Sequence, residues 1–358
     1  MNAPFPLSRE VVRLANPGDA NEVRRIDSFV ALHPEGTVFH RPVWQSCVAE
    51  GTGNEMLALV AERNCEITAY LPLTQIHSPI FGRLLASSGF AVGGGLLAAD
   101  AADAEAIFAA AEELAQRRSC STIELRGAMM PQGRAGWDVQ AQSHCGFVAD
   151  LAGNDDDQLK AIPRKQRAEV RKGLANDLTV HVGNGPEDRD AHFAVYAQSV
   201  RNLGTPVFPR ALFDAVLDRF ADDADILTIR HEGAPVASVL SLYHGGAVMP
   251  YWGGGTWNAR RLRANDRMYF ELMLHARARG CARFDFGRSK TESGAYFFKK
   301  NWGFEPEALT YASWTAPGAS VRDANPDSAA HALQINLWKR LPLGIANRLG
   351  PLIAKGLG

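Results

Sequence analysis

At 358 residues, with 46% hydrophobic and 22% charged, the chain has the composition of an ordinary globular protein and the length for two domains. A formal net charge of −1 and a pI near 6.8 exclude a protein wrapped globally in nucleic acid, so any anion must be gripped by a local basic patch. Five cysteines (Cys47, Cys65, Cys120, Cys145 and Cys281) with no CxxC pair argue against a disulfide framework and a zinc site, and no metal is expected.

The opening MNAPFPLSREVVRL lacks the charged-then-apolar plan of a signal peptide, and no run approaches the ~18 apolar residues of a membrane span, so a cytoplasmic protein is expected. HRPVWQSCVAEG reads as a helix, and LALVAERNCEITAYLPLT (Leu57 to Thr74) as a hairpin-like pair of strands. AVGGGLL (Ala91 to Leu97) then leads through the helix DAEAIFAAAEELAQRRS to the strand CSTIELRG.

The second half repeats this plan. Helices DRDAHFAVYAQSVRNLG and PRALFDAVLDRFADD, the first closed by Gly204 and the second opened by Pro209, precede the strand pair ILTIRHEGAPVASVLSLYH, which turns at His231-Glu232-Gly233. PYWGGGT (Pro250 to Thr256) leads through NDRMYFELMLHARARG, with Asn265 as expected N-cap, to CARFDFG. The glycine triplets starting at Gly93 and Gly253 lie 160 residues apart, and Cys120 and Cys281 lie 161 apart. Such self-similarity predicts two copies of one mixed α/β domain: residues 1–152, a basic connecting helix 153–177, a second copy 178–318, and a linker and tail 319–358.

The connecting segment opens with three aspartates, and Arg164, Arg167 and Arg171 then recur on one helix face, flanked by Lys165 and Lys172. This is either a solvated surface or a phosphate clamp. The densest chemistry lies at CARFDFGRSKTESGAYFFKKNWGF, Cys281 to Phe304, where Asp285 ends a period-2 strand beside Arg288, Lys290, Lys299 and Lys300 and several rings. A carboxylate among four cations can hold an anionic substrate while polarising a reacting group; alternatively, Asp285 and Arg288 are a structural ion pair and the rings are core. The tail HALQINLWKRLPLGIANRLGPLIAKGLG carries Lys339, Arg340, Arg348 and Lys355 and no acid. Pro342 and Pro351 cut it into short amphipathic pieces, which either pack on the protein or lie on an anionic membrane surface.

AIPRKQRAEVRKGL, RRLRANDRMYFELMLHARARGCARFDFG and GRSKTESGAYFFKKNWGFEP resemble the FemAB-like proteins of the GNAT superfamily, and more narrowly those associated with the PEP-CTERM/exosortase system. The resemblance implies tandem duplicated GNAT-like acyltransferase domains, each a mixed, mostly antiparallel sheet flanked by helices. It further implies acyl transfer to an amine in cell-envelope or exopolysaccharide biosynthesis, with the active site in the second domain. The donor would be acetyl-CoA or another acyl-CoA, or an aminoacyl-tRNA, as co-substrate rather than tightly bound cofactor. The glycine-containing Q/R-x-x-G-x-G/A loop that holds coenzyme A in GNAT folds reads Arg260-Arg261-Leu262-Arg263-Ala264-Asn265 here, without either glycine, so Arg260, Arg261 and Arg263 are the cofactor-binding candidates.

Direct attack by a neutral amine requires a proton acceptor and donors for the developing oxyanion. Asp285 is the candidate acceptor and Arg288 its catalytic partner. Pro250 and the residues after it fit a disrupted strand beside the acyl group. Lys290, Lys299 and Lys300, with Arg164, Arg167 and Arg171, would bind the phosphates of a small anionic or lipid-linked acceptor, while Trp252 and Tyr296 would stack on a sugar or base. The expected partners are that acceptor, tRNA if it is the donor, and the inner membrane through the tail. The competing reading keeps the fold as a non-catalytic scaffold.

Overall fold

The structure, a computed structural model, describes residues 11–78, 82–320 and 329–356. The chain divides into two compact units: Met1–Ala141 with Thr310–Asp323 and Lys355–Gly358, and Gln142–Leu309 with Ala324–Ala354. The units therefore interleave along the chain instead of following the linear division 1–152 and 178–318. The linker expected at 319–327 falls largely outside the described residues.

In chain order the elements are β1 (Val11–Leu14), α1 (Ala20–Leu32), α2 (Pro42–Thr52), β2 (Glu55–Arg63), β3 (Glu66–Ser78), β4 (Gly82–Ser87), β5 (Leu97–Ala98), α3 (Ala101–Arg117) and β6 (Thr122–Arg126). There follow β7 (Trp137–Asp150), α4 (Asp155–Ala161), α5 (Arg164–Ala175), β8 (Thr179–Gly183), α6 (Pro186–Leu203), α7 (Arg210–Phe220), β9 (Ala224–His231), β10 (Ala234–His244) and β11 (Ala247–Gly255). The chain ends with α8 (Trp257–Leu262), α9 (Ala264–Ala278), β12 (Arg283–Asp285), β13 (Ser289–Lys290), α10 (Gly294–Asn301), β14 (Pro306–Thr315), α11 (Ala329–Arg340) and α12 (Leu343–Ala354).

The first unit's sheet runs β1-β2-β3-β4-β6-β14, with β5 on β3, and only its β4–β6 pairing is parallel. The glycine triplet does not end a strand here: β4 stops at Ser87, and Gly93 to Gly95 lie in a loop before β5. The second unit's sheet runs β7-β12-β11-β10-β9-β8, with β13 also on β7 and a parallel β11–β12 step. Here the triplet does end a strand, β11. The β9–β10 hairpin closes through Glu232 and Gly233 at φ 50° and 78°, the left-handed pair that matches strand twist in a two-residue turn. Both units thus carry a mostly antiparallel sheet with one parallel step whose two strands are joined through a long helix, the mixed α/β layout expected from the repeat.

The second core is built on α9, whose Met268, Leu272, Met273 and Ala276 are buried with Leu227, Val239, Val248 and Phe284. At the far end of α9, Asp225 accepts from Tyr243 Oη (2.8 Å) and meets His275 Nε2 (2.7 Å) and Arg279 Nη1 (3.1 Å), tying β9, β10 and α9 together. Because Pro163 disfavours helix at Ile162 and donates no hydrogen bond, the expected single connecting helix is two, α4 and α5. Asn265 is not an N-cap: Arg263 takes that place in a left-handed conformation, φ 53° and ψ 31°, and also ends α8.

Helix α5 buries Gln166, Val170 and Gly173, a stripe at helical spacing, against α9. Gln166 Nε2 donates to Asp266 Oδ1 (2.6 Å) and Asn176 Nδ2 to Leu262 O (2.8 Å). Only glycine allows this approach, because a Cβ at 173 would stand 2.7 Å from Arg263 O. Gly173→Leu is therefore expected to destabilise the protein by about 1–3 kcal/mol, overpacking outweighing leucine's better helix propensity of roughly 1 kcal/mol. Urea unfolding of the full chain measures it, and an unchanged midpoint would contradict the close contact.

Candidate active site

Strands β11 and β12 pair only through Ala247 with Arg283 and Val248 with Phe284. β12 then stops at Asp285, while β11 runs on to Gly255 with β10 on its other edge. Between the β11–β10 pairs Pro250↔Ser241 and Trp252↔Leu240, Tyr251 is bulged out, a disruption of the kind expected at Pro250. Beyond Val248 the edge of β11 that faced β12 is thus released from parallel pairing. On α9, the Tyr269 hydroxyl lies 3.5 Å from where a Gly253 Cβ would sit. Burial pushes its pKa to about 12, so near neutral pH it is a hydrogen-bond donor.

Asp285, at the end of β12, is largely enclosed, and its Oδ1 accepts from Gly287 N at 2.8 Å, holding the turn that glycine makes at φ 68°. Burial raises its pKa, against the lowering effects of the Gly287 N–H and the positive charges of Lys299 and Arg283. Lys299 on α10 turns inward. It is 8% exposed, and its Nζ donates to Gly287 O (3.0 Å) and Arg288 O (2.8 Å) and stands 5.4 Å from the Phe147 ring centre. Burial lowers its pKa to about 8, against the raising effect of Asp285. The pair therefore combines a carboxylate made more basic than usual with an ammonium made more acidic.

A cleft of about 570 Å³ opens at the N-terminus of α9. Its cations come from three segments: Lys165 of α5, Arg260 and Arg263 at α8 and its end, and Lys300 of α10. Asn265 and Asp266 of α9 and Phe298 of α10 also line it. The Asn265 Oδ1 is buried without a hydrogen-bond partner among the described residues. It can come this close to the end of β11 only because residue 255 is glycine, whose Cβ would lie 2.5 Å away. Four cations beside a helix N-terminus have the charge that suits a phosphate-bearing group, with the carboxylates of Glu169 and Asp266 on the same wall. Coenzyme A, implied by the resemblance, meets donors of the right charge here, although they are side chains rather than a glycine-loop backbone.

The expected site residues separate into groups. Arg260, Arg263 and Lys300 line the cleft, whereas Arg261 is exposed outside its lining. Arg164, Arg167 and Arg171 do not line it either: the α5 residues that do are Lys165, Gln166 and Glu169, and Arg167 Nε is drawn to Ile162 O. Of the four cations after Asp285, Lys299 does not face a ligand but anchors the Gly287–Arg288 backbone. Arg288 is half-buried and Lys290 is exposed at β13. Trp252 cannot stack on a sugar as it stands, being 3% exposed and packed against Phe213 at 4.7 Å between ring centres. Tyr296 is half-buried against Phe147, with Lys300 Nζ 5.7 Å from its ring centre. Most rings of the motif are core, Phe286 meeting Tyr269 at 4.8 Å and Phe304 at 5.1 Å.

Sequence reasoning named Lys165 only as a flank of the arginine face and Asn265 only as an N-cap, and it passed over Tyr269. Their available signal was register: Asn265 and Tyr269 fall four residues apart on the face of α9 nearest the glycine triplet. Trp257, 64% exposed with Arg260 5.5 Å from its ring centre, was also missed. His192 is a poor base despite its type, since burial lowers its pKa to about 3.

Residues 161–300, which contain Asp285, Lys299 and the cations of the cleft, match the acetyltransferase (GNAT) domain family. Among solved structures, FemX is similar over 80% of this chain and 95% of its own, with 16% identity and a TM-score of 0.63. A tandem GNAT protein from the clavulanic acid biosynthesis pathway aligns over 87% and 100%, at 12% identity and a TM-score of 0.57. L-PGS from Bacillus licheniformis aligns over 76% and 87%, at 13% identity and 0.50. No curated protein matches the sequence. The fold is that of the GNAT superfamily, in tandem arrangement.

Two predictions follow from the geometry. Between a pH of about 8 and the ordinary lysine value of 10.5, folded Lys299 has released a proton that the unfolded chain still holds. Stability conferred at this position therefore rises with pH across that window and is absent below it. Lys299→Met is expected to lose that rise, read as unfolding midpoints on either side of the window; equal slopes for both proteins would contradict the buried amine. For Arg263→Gly, relief of left-handed strain, about 1–2 kcal/mol, offsets loss of the solvent-screened ion pair with Glu169. The melting temperature should hold or rise while affinity for pyrophosphate, measured calorimetrically, falls several-fold; unchanged affinity would remove Arg263 from the anion site.

Proposed function

We propose that this chain is an N-acyltransferase that moves an acyl group from a phosphate-bearing donor directly to an amine. The observation that carries the reading is that α9 joins the cationic cleft at its N-terminus to the gap between β11 and β12, where it places Tyr269. The phosphates of the donor are held by Lys165, Arg260, Arg263 and Lys300, and the acyl end reaches along β11 into the gap. An acyl-coenzyme A thioester is favoured over an aminoacyl-tRNA, because a compact cleft suits one pyrophosphate whereas a tRNA engages many phosphates spread over a basic surface. The acceptor proposed is an amine on an anionic or lipid-linked envelope precursor, in keeping with the motifs at Gly287 to Pro306.

In the transfer, the neutral amine nitrogen attacks the thioester carbonyl carbon. The carbonyl oxygen takes the developing negative charge, and main-chain N–H groups on the released edge of β11 are the donors for it. As the C–N bond forms and the C–S bond breaks, the amine proton passes to the Asp285 carboxylate, directly or through water. The raised pKa of Asp285 makes it a better acceptor than an exposed aspartate. Tyr269, still protonated, donates to the departing thiolate.

The test is turnover of acetyl-CoA with a panel of amines, products read by mass spectrometry. Asp285→Asn is expected to lower kcat by at least about 100-fold with donor affinity unchanged. Full activity in that variant would move the proton acceptor elsewhere. Donor binding without any transfer by the native protein would favour the scaffold reading.

A further inference from the structure

The last helix of the second unit, α12, is built inside out. On α12 the residues turned to the protein are small: Ala346, Gly350 and Ala354 are buried, and a Cβ on Gly350 would stand 2.9 Å from the backbone nitrogen of Val207. Three large apolar residues face away, Ile345, Leu349 and Leu352 being 47%, 44% and 65% exposed, while Leu343 and Ile353 are half-buried. At about 100° per residue these three fall within one sector of roughly 60°, opposite the buried stripe, and Arg348 borders them. On α11, Leu337 is 60% exposed, and Lys339 and Arg340 are exposed beside it. A helix folded only to cover its own core would bury the leucines and present the small residues to water.

We propose that this stripe docks on an anionic phospholipid bilayer. The charge is complementary: from residue 329 onward the sequence holds Lys339, Arg340, Arg348 and Lys355 and no aspartate or glutamate, in a protein whose net charge is −1. Apolar side chains entering the acyl boundary and cations reaching lipid phosphates are the two signals that reversible membrane attachment requires. No described helix is long and apolar enough to cross a membrane, so the contact is peripheral. The face is distinct from the acyl-transfer cleft, and the inference does not rest on the transferase reading.

The full-length protein is sedimented with vesicles of phosphatidylcholine alone and of phosphatidylcholine mixed with phosphatidylglycerol. Binding to the anionic vesicles is expected to exceed that to the neutral ones by at least about tenfold and to weaken as salt is added. Leu349→Glu with Leu352→Glu should reduce it by at least about tenfold while the circular dichroism spectrum and melting temperature stay those of the native protein. Binding that is absent, or equal on both vesicles, overturns the proposal. So does a stable dimer, seen by light scattering, that the same two substitutions dissociate, because the stripe would then face a second copy.

Discussion

Two parallel strands that hold each other for two residue pairs and then part are the constraint on which the candidate site depends. Were β11 and β12 paired to the end of β11, its main-chain donors would be spent on the ladder, and no group could approach them. The bulge at Tyr251 and the glycines after it keep this stretch irregular and thin. Three different atoms exploit that thinness: Val239 Cγ2 against Gly253, Ser199 Oγ against Gly254 and Asn265 Oδ1 against Gly255, each within about 3 Å of where a Cβ would be.

The first unit shows what happens when the same step is closed. β4 pairs with β6 through Leu84 to Ala86, and the chain then folds back over the place where the strands would separate. A Cβ on Gly95 would lie 2.0 Å from Gly127 O, Leu96 bridges to Ala128 and Met129, and Arg126 Nη1 donates to Ala91 O at 2.9 Å. Backbone occupies the space that the second unit leaves for a ligand. The two glycine triplets that revealed the repeat thus have opposite uses: one lets the chain seal a gap, the other lets side chains approach its rim.

That contrast marks how much the sequence disclosed. Period and spacing carried the repeat, the hairpins and the long helices, because side-chain alternation and turn chemistry are local properties of residues such as Glu232 and Gly233. Direction was harder. Lys299 and Lys300 are neighbours of one type, yet helical rotation sends the first inward to Gly287 O and Arg288 O and the second to the cleft. Likewise the arginines of α5 were conspicuous, but the phase of the helix is set by the buried stripe Gln166, Val170 and Gly173, which turns Lys165 and Glu169 toward the cleft. Trp252 looked available because aromatic residues near a motif serve equally as platform or core, and Phe208 and Phe213, distant in sequence, decide between them.

Arg263 shows why a missing motif did not mean a missing site. The loop implied by the resemblance has glycine where this chain has Arg263, and a glycine there leaves bare N–H groups and tolerates a left-handed conformation. Here the turn persists at φ 53° with a side chain present, at a cost of about 1–2 kcal/mol, and Nε of that side chain is held 2.6 Å from Glu169. In the proposed function a guanidinium stands where that loop offers backbone N–H groups, and Lys165 from α5 and Lys300 from α10 line the same cleft. A site reassembled in this way draws its charge from three separated segments, so its specificity depends on the α5–α9 contact at Gly173, where a glycine brings one of those segments to the others.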